Sequence, residues 1–177
     1  MRNTNEKYGK VAIILHWLMA LMVIALVFIG FNLDDIEKPL KFTIIGLHKA
    51  TGTLVLILAL FRWYWMISNE SPAPVESMSK AEIGISHATK WILMLALIGM
   101  PLSGIIMSMF AGHSIDIYGL FEISPMLEKN IDTAKAFGSL HELGGYAISI
   151  VIALHILAAL KHHFINKDNV LKRMLGR

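Results

Sequence analysis

The segment A-F-G-S-L-H-E-L-G-G-Y-A-I-S-I-V-I-A-L-H-I-L-A-A-L, residues 136–160, decides how this chain must be read. It runs for 25 residues with Glu142 as its one charge, enough to cross the ~30 Å hydrocarbon core of a bilayer as a helix. Two histidines stand inside it, His141 and His155, although polar side chains are costly to place in hydrocarbon. They are 14 residues apart, which is about 21 Å along a helix at ~1.5 Å per residue. At ~100° per residue the rotation falls about 40° short of four full turns, so both face the same side.

Three further apolar runs precede this one. Val11 to Phe31 carries no charge and leaves through Asn32-Leu33-Asp34-Asp35, with no small-residue cleavage pattern, so it is expected to be a retained span. Phe42 to Phe61 holds only Lys49 and ends in Arg62-Trp63-Tyr64-Trp65, the aromatic and basic mixture of a membrane interface. The third starts near Ile83, is uncharged from Trp91 to Ile115, and contains Pro101. Polar loops follow the second and third runs, the later one (Asp116 to Lys135) acidic. The expectation is an all-α integral membrane four-helix bundle, one domain over residues 1–177, with spans at about 11–32, 42–65, 85–112 and 136–160. Beyond the last span, Phe164, Leu171, Met174 and Leu175 form an apolar face among Lys and Arg, which predicts a short interfacial helix over about 164–175.

Composition agrees. Of 177 residues 55% are hydrophobic and 16% charged, against about 25% charged in soluble domains. There is no cysteine, which excludes disulfides, Cys-ligated iron–sulfur clusters and covalent attachment of haem through C-x-x-C-H. The net charge of +3 and pI near 9.2 do not point to nucleic acid, because the basic residues are segregated. Arg2, Lys7, Lys10, Arg62, Lys80, Lys90, Lys161, Lys167, Lys172, Arg173 and Arg177 fall on one side of the four spans; Lys38, Lys41, Lys129 and Lys135 fall on the other. The positive-inside rule then places both termini in the cytoplasm, with membrane lipid as the neighbour of the basic segments.

Eight histidines are present, and four lie within the apolar runs: His16, His48, His141 and His155. His16 enters the first span about as far as His155 stands from the end of the antiparallel fourth, so the two share the inner level. His48 and His141 share the outer level by the same reasoning. A single intramembrane histidine is often no more than a hydrogen-bonded polar residue, but depth-matched pairs on opposed helices provide two axial imidazoles per site for a b-type haem. A transition-metal ion is the rival; it would want carboxylate or thiolate nearby, and the spans offer only Glu142. Gly46, Gly52, Gly138, Gly144 and Gly145 flank His48 and His141, either to admit a flat macrocycle or to let helices pack closely.

With these residues in view, the chain resembles the bacterial cytochrome b561 family, small four-span di-haem proteins related to the cytochrome b subunits of nickel hydrogenases. The matching stretches are I-L-H-W-L at 14–18, L-H-K-A-T-G at 47–52, S-L-H-E at 139–142 and A-L-H-I-L-A-A-L-K-H-H-F at 153–164, followed by N-K-D-N at 166–169. The resemblance covers nearly the whole chain. It implies two haem b groups, the inner held by His16 and His155 and the outer by His48 and His141. It further implies a multi-pass protein of the bacterial inner membrane that passes electrons from an outside donor to quinone. Stand-alone members oxidise superoxide and reduce ubiquinone; others serve as cytochrome b subunits of a hydrogenase or dehydrogenase.

Lys49, beside His48, is the candidate for attracting an anionic donor such as superoxide, with Lys38 and Lys41 on the adjoining loop. Pairing with Glu142 or with a haem propionate are its alternative roles. The acidic residues Asp34, Asp35, Glu37, Asp116, Glu122, Glu128 and Asp132 on the same side oppose a strongly cationic funnel. On the inner side His162, His163, His87 and Trp17 are the candidates for a quinone site, the histidines as proton donors near neutral pH. A solvated interfacial histidine or aromatic anchor is the plainer role for each, and a haem-free metal or proton transporter is the third functional class.

Overall fold

A computed structural model describes residues 2–176. Helix accounts for 72% of the chain, and four of the helices are apolar and long enough to span a membrane. The protein is an integral membrane four-helix bundle. Its spans are α1 (Lys10–Asn32), α2 (Leu40–Ile67), α3 (Lys80–Phe110) and α4 (Ile131–Lys161). All four run a few residues beyond the apolar cores, because polar caps start the later helices outside them. Ser79 and Glu82 close a reciprocal capping box at the start of α3, and the Asn130 side chain accepts from Thr133 N at the start of α4. α3 continues as helix through Pro101.

Two elements differ from the sequence expectation. The acidic loop after α3 contains a small antiparallel pair, β1 (Ile115–Ile117) with β2 (Phe121–Ile123). Alternating apolar residues over so short a run give too weak a period to separate strand from loop. The C-terminal segment is not one helix over 164–175: a π-helical turn (His162–Asn166) runs directly on from α4, Lys167 takes a left-handed conformation (φ 56°), and only α5 (Val170–Met174) follows. The break lets Asp168 fold back onto His162.

Both termini and the α2–α3 loop meet at one end of the bundle, here the terminal end. Asn3 Nδ2 donates to Glu70 O, Arg173 Nη1 to Ala73 O and Trp17 Nε1 to Met174 O. The small sheet and the α1–α2 connection lie at the other, the hairpin end. Between the ends, Met19, Val55 and Ala59 form the buried core, packed on by Met22, Val23, Leu26, Leu58, Leu97 and Ile98. This cluster joins α1, α2 and α3 at mid-span. α3 packs closely on α4, whereas α1 and α4 touch little.

Ala59 is 0% exposed within that cluster. Ala59→Leu adds volume where none is free and should destabilise the bundle by about 1–3 kcal/mol, read as a lower thermal unfolding midpoint in detergent; an unchanged midpoint would show that α1 and α2 can part there without penalty.

Candidate functional site

The antiparallel course of α1, α2 and α4 brings the four intramembrane histidines together in two pairs. The His16 and His155 ring centroids are 6.2 Å apart with planes at 64°. Those of His48 and His141 are also 6.2 Å apart, with planes at 76°. The first pair lies toward the terminal end and the second toward the hairpin end, with the Met19–Val55–Ala59 core between the levels. Neither pair is joined by a hydrogen bond among the described residues. Two imidazoles sharing one metal, each at ~2.0–2.1 Å from it, have ring centroids about 6 Å apart. Edge-to-face aromatic pairs span the same range, so the surroundings of each ring carry the distinction.

At the hairpin end His141 is held by α3. Ser103 Oγ donates to Met100 O at 2.8 Å, which leaves the hydroxyl oxygen to accept from His141 Nδ1–H at 2.9 Å; the Met100 carbonyl lies 3.1 Å from the same nitrogen. Acceptors on Nδ1 fix the tautomer and leave the Nε2 lone pair for a ligand bond. His48 Nδ1 is buried without a partner. Small residues lie against both rings: a Cβ at Gly104 would stand 3.2 Å from His141 Cε1, and one at Gly30 would stand 3.8 Å from His48 Cε1.

These are not the glycines that the sequence pointed to. Gly46 and Gly52 face open space, Gly138 takes Met107 Sδ, and Gly144 and Gly145 take Met100. The last three serve the packing of α3 on α4. Gly30 stands 14 residues after His16, and Arg62 stands 14 after His48, the same four-turn interval that links His141 to His155. That repeat is the signal by which both could have been found.

At the terminal end Arg62 Nη2 lies 3.3 Å from His16 Nδ1. A guanidinium only donates, so Nδ1 accepts in this arrangement; a metal bonded to Nε2 would put the proton on Nδ1 and turn Arg62 toward another acceptor. Among the described residues no carboxylate lies within ion-pair distance of Arg62. Among the described residues no third His, Cys, Asp or Glu completes a metal-ion cluster at either pair.

The remaining candidates are scattered. Lys49 is half-buried on α2 and forms no ion pair with Glu142, which is exposed. His87 is exposed on α3, and His113 is exposed on the turn after it. Trp17 spends its indole N–H on Met174 O at 2.7 Å, tying α1 to α5. His163 packs its ring on Phe164 at 4.8 Å and keeps a buried Nδ1 without a partner. His162 donates from Nδ1 to Asp168 Oδ2 at 2.6 Å, both side chains under 10% exposed (9% and 8%), and Ser77 Oγ donates to the same oxygen at 2.8 Å. A cleft of about 240 Å³ opens between α2 and β1, lined by Thr43, Gly46, Leu47, Ala50, Asp116 and Tyr118, on a face of α2 turned away from His48. Tyr118 holds a left-handed conformation (φ 56°), costly for a bulky residue, and its hydroxyl bonds Thr51 Oγ1 at 2.8 Å.

Four apolar spans with histidines paired at two depths define a membrane protein of the bundle-cytochrome class. The prokaryotic cytochrome b561 family model matches residues 7–177, and the chain belongs to that family. It is 30% identical over 183 residues to cytochrome b561 homolog 2 of Escherichia coli (strain K12), covering 99% of this chain and 94% of that one. It is 32% identical over 178 residues to the probable superoxide oxidase CybB of Yersinia pestis, covering 98% of each. Cytochrome b561 homolog 1 of Escherichia coli (strain K12) is 30% identical over 180 residues, covering 97% and 98%. Membership brings b-type haem binding, electron transfer in the membrane and a bacterial integral membrane setting. The residues present fit such a group: paired imidazoles, a pre-set His141 tautomer, and glycine beside His48 and His141.

The His162–Asp168 contact ties the C-terminal segment to α4. Burial pushes the Asp168 carboxyl up, but bonds from His162, the Val170 amide and Ser77 outweigh it and hold it below the ordinary 3.8. A depressed carboxyl contributes stability above its unfolded value and loses it as the pH falls through the folded one. Asp168→Asn should therefore lower the unfolding free energy at pH 7 by about 1.5–3 kcal/mol for one charged hydrogen bond, read from denaturation in detergent, with the gap to the native chain closing as the pH falls below 3.8. A gap independent of pH would refute the ionised contact.

Proposed function

We propose that this chain is a di-haem b-type cytochrome that carries electrons across the bacterial inner membrane from the hairpin end to quinone at the terminal end. The observation that carries the reading is the pairing of His16 with His155 and of His48 with His141, each at 6.2 Å, on helices that the fold need not have brought so close. His16 and His155 would hold one haem and His48 and His141 the other, both termini being cytoplasmic as the basic segments require. Haem held by these four histidines would supply one-electron chemistry at each site.

The donor we propose is superoxide, the acceptor ubiquinone, on the name of the relative from Yersinia pestis. Two superoxide anions lose one electron each and leave as O₂; two electrons and two protons convert ubiquinone to ubiquinol. Lys49, half-buried and without a carboxylate partner among the described residues, is the cation that would draw the anion toward His48, whereas the acidic residues of the loop after α3, Asp116 among them, act against it. At the terminal end His163, with its unpartnered Nδ1, is better placed to meet a quinone oxygen than His162, whose Nδ1 is committed to Asp168. Trp17 and His87 contribute less, the one committed to Met174 and the other exposed.

One observation favours the second reading, an electron-transfer subunit of a hydrogenase or dehydrogenase complex. Leu120 (81% exposed) and Met126 (77%) project outside the spans at the hairpin end, where a partner subunit could cover them.

His48→Ala should leave about half of the haem bound, with the reduced b-type absorbance falling in proportion; retention of all of it would refute the pairing. The pure protein with ubiquinone in detergent should consume superoxide and form ubiquinol, several-fold more slowly after Lys49→Ala at low salt. Superoxide loss indifferent to quinone would remove the oxidase reading and favour the subunit.

A further inference from the structure

The two histidine pairs have unlike surroundings, and the difference has a sign. At the hairpin end the Nδ1–H of His141 faces two acceptors, Ser103 Oγ and Met100 O, at 2.9 and 3.1 Å. An acceptor on that proton makes the imidazole a stronger electron donor and favours the oxidised metal. At the terminal end the polar neighbour is a cation: Arg62 Nη2 lies 3.3 Å from His16 Nδ1, and the His155 ring lies 6.2 Å from that of His16. Among the described residues neither His48 nor His141 has a charged side chain within hydrogen-bond distance. Lys49 follows His48 in sequence but lies ~100° further round the helix, and its ammonium makes no hydrogen bond among the described residues.

A positive charge in a region of low dielectric favours whichever state of its neighbour carries the extra electron, and is screened far less than at a surface. This holds whether Arg62 faces the ring or turns to a carboxylate of the bound group, because removing the guanidinium removes its charge in either case. We infer that Arg62 and Ser103 rank the two haem sites, making the His16–His155 site the stronger electron acceptor and the His48–His141 site the weaker. One electron passes from the hairpin-end site, which is oxidised, to the terminal-end site, which is reduced; no bond or proton need move. Transfer toward the terminal end is then downhill. The inference rests on the di-haem reading above and adds to it which residues give the electron a direction.

Redox titration of the purified, haem-loaded protein by absorbance tests this, with the sites assigned through His48→Ala. The haem retained in His48→Ala should be the higher-potential one; if it is the lower, the ranking is overturned. Arg62→Met should lower that potential alone, shifting the electron at least tenfold toward the hairpin-end site, about 59 mV for a one-electron couple. Arg62→Lys should restore most of it. Ser103→Ala should raise only the lower potential, by a several-fold change in occupancy, and Ser103→Thr should leave it in place. Potentials that do not respond to Arg62→Met, or a shift in the lower one, would overturn the assignment to Arg62. Should Arg62→Met fail to hold haem, Arg62→Lys, Ser103→Ala and the His48→Ala assignment still decide the ranking. Failure of the di-haem reading is distinct: the native protein would then lack two b-type signals before any variant is made.

Discussion

Four imidazoles inside an apolar bundle are the constraint on which the rest of this structure depends. Each would cost free energy in hydrocarbon if it had nothing to bond, and hydrophobic burial alone gives no reason to gather them. Here they face one another in two pairs, 6.2 Å across in both. The bundle is arranged around that requirement. α3 packs closely on α4 and supplies Ser103 and Met100 to His141, while α1 and α4 touch little, meeting at His16–His155 and where Phe31 stacks on Tyr146. An apolar cluster of Met19, Val55 and Ala59 lies at mid-span, between the two pairs.

The spans were legible because a bilayer reduces the question to length and charge. Runs such as Val11–Phe31 leave no alternative to a helix that crosses. The histidine pairing was legible for a related reason: antiparallel spans of equal length convert sequence position into depth, so His16 must meet the level of His155. The small sheet was not, since Ile115–Ile117 and Phe121–Ile123 are too short for a period of two to register. Nor was the break after α4, because the left-handed Lys167 and the turn of Asp168 onto His162 are tertiary choices.

The surroundings of the rings were the least legible part. Proximity in sequence pointed to Gly144 and Gly145, which instead receive Met100, whereas Gly30 and Gly104 reach the rings from other helices. Arg62 reads in the sequence as an interfacial anchor beside Trp63 and Trp65; the fold turns it toward His16. Pairing with Glu142, one of the roles the sequence left open for Lys49, does not form. Which side chain faces a given ring depends on helix rotation, and that is set by packing rather than by hydropathy.

The central claim is that each histidine pair is one haem site. Haem per chain in the native protein, from the pyridine haemochrome of a purified sample of known protein concentration, tests it most directly. The account predicts two haem b groups per chain, one for each pair; a value of one or none would contradict it.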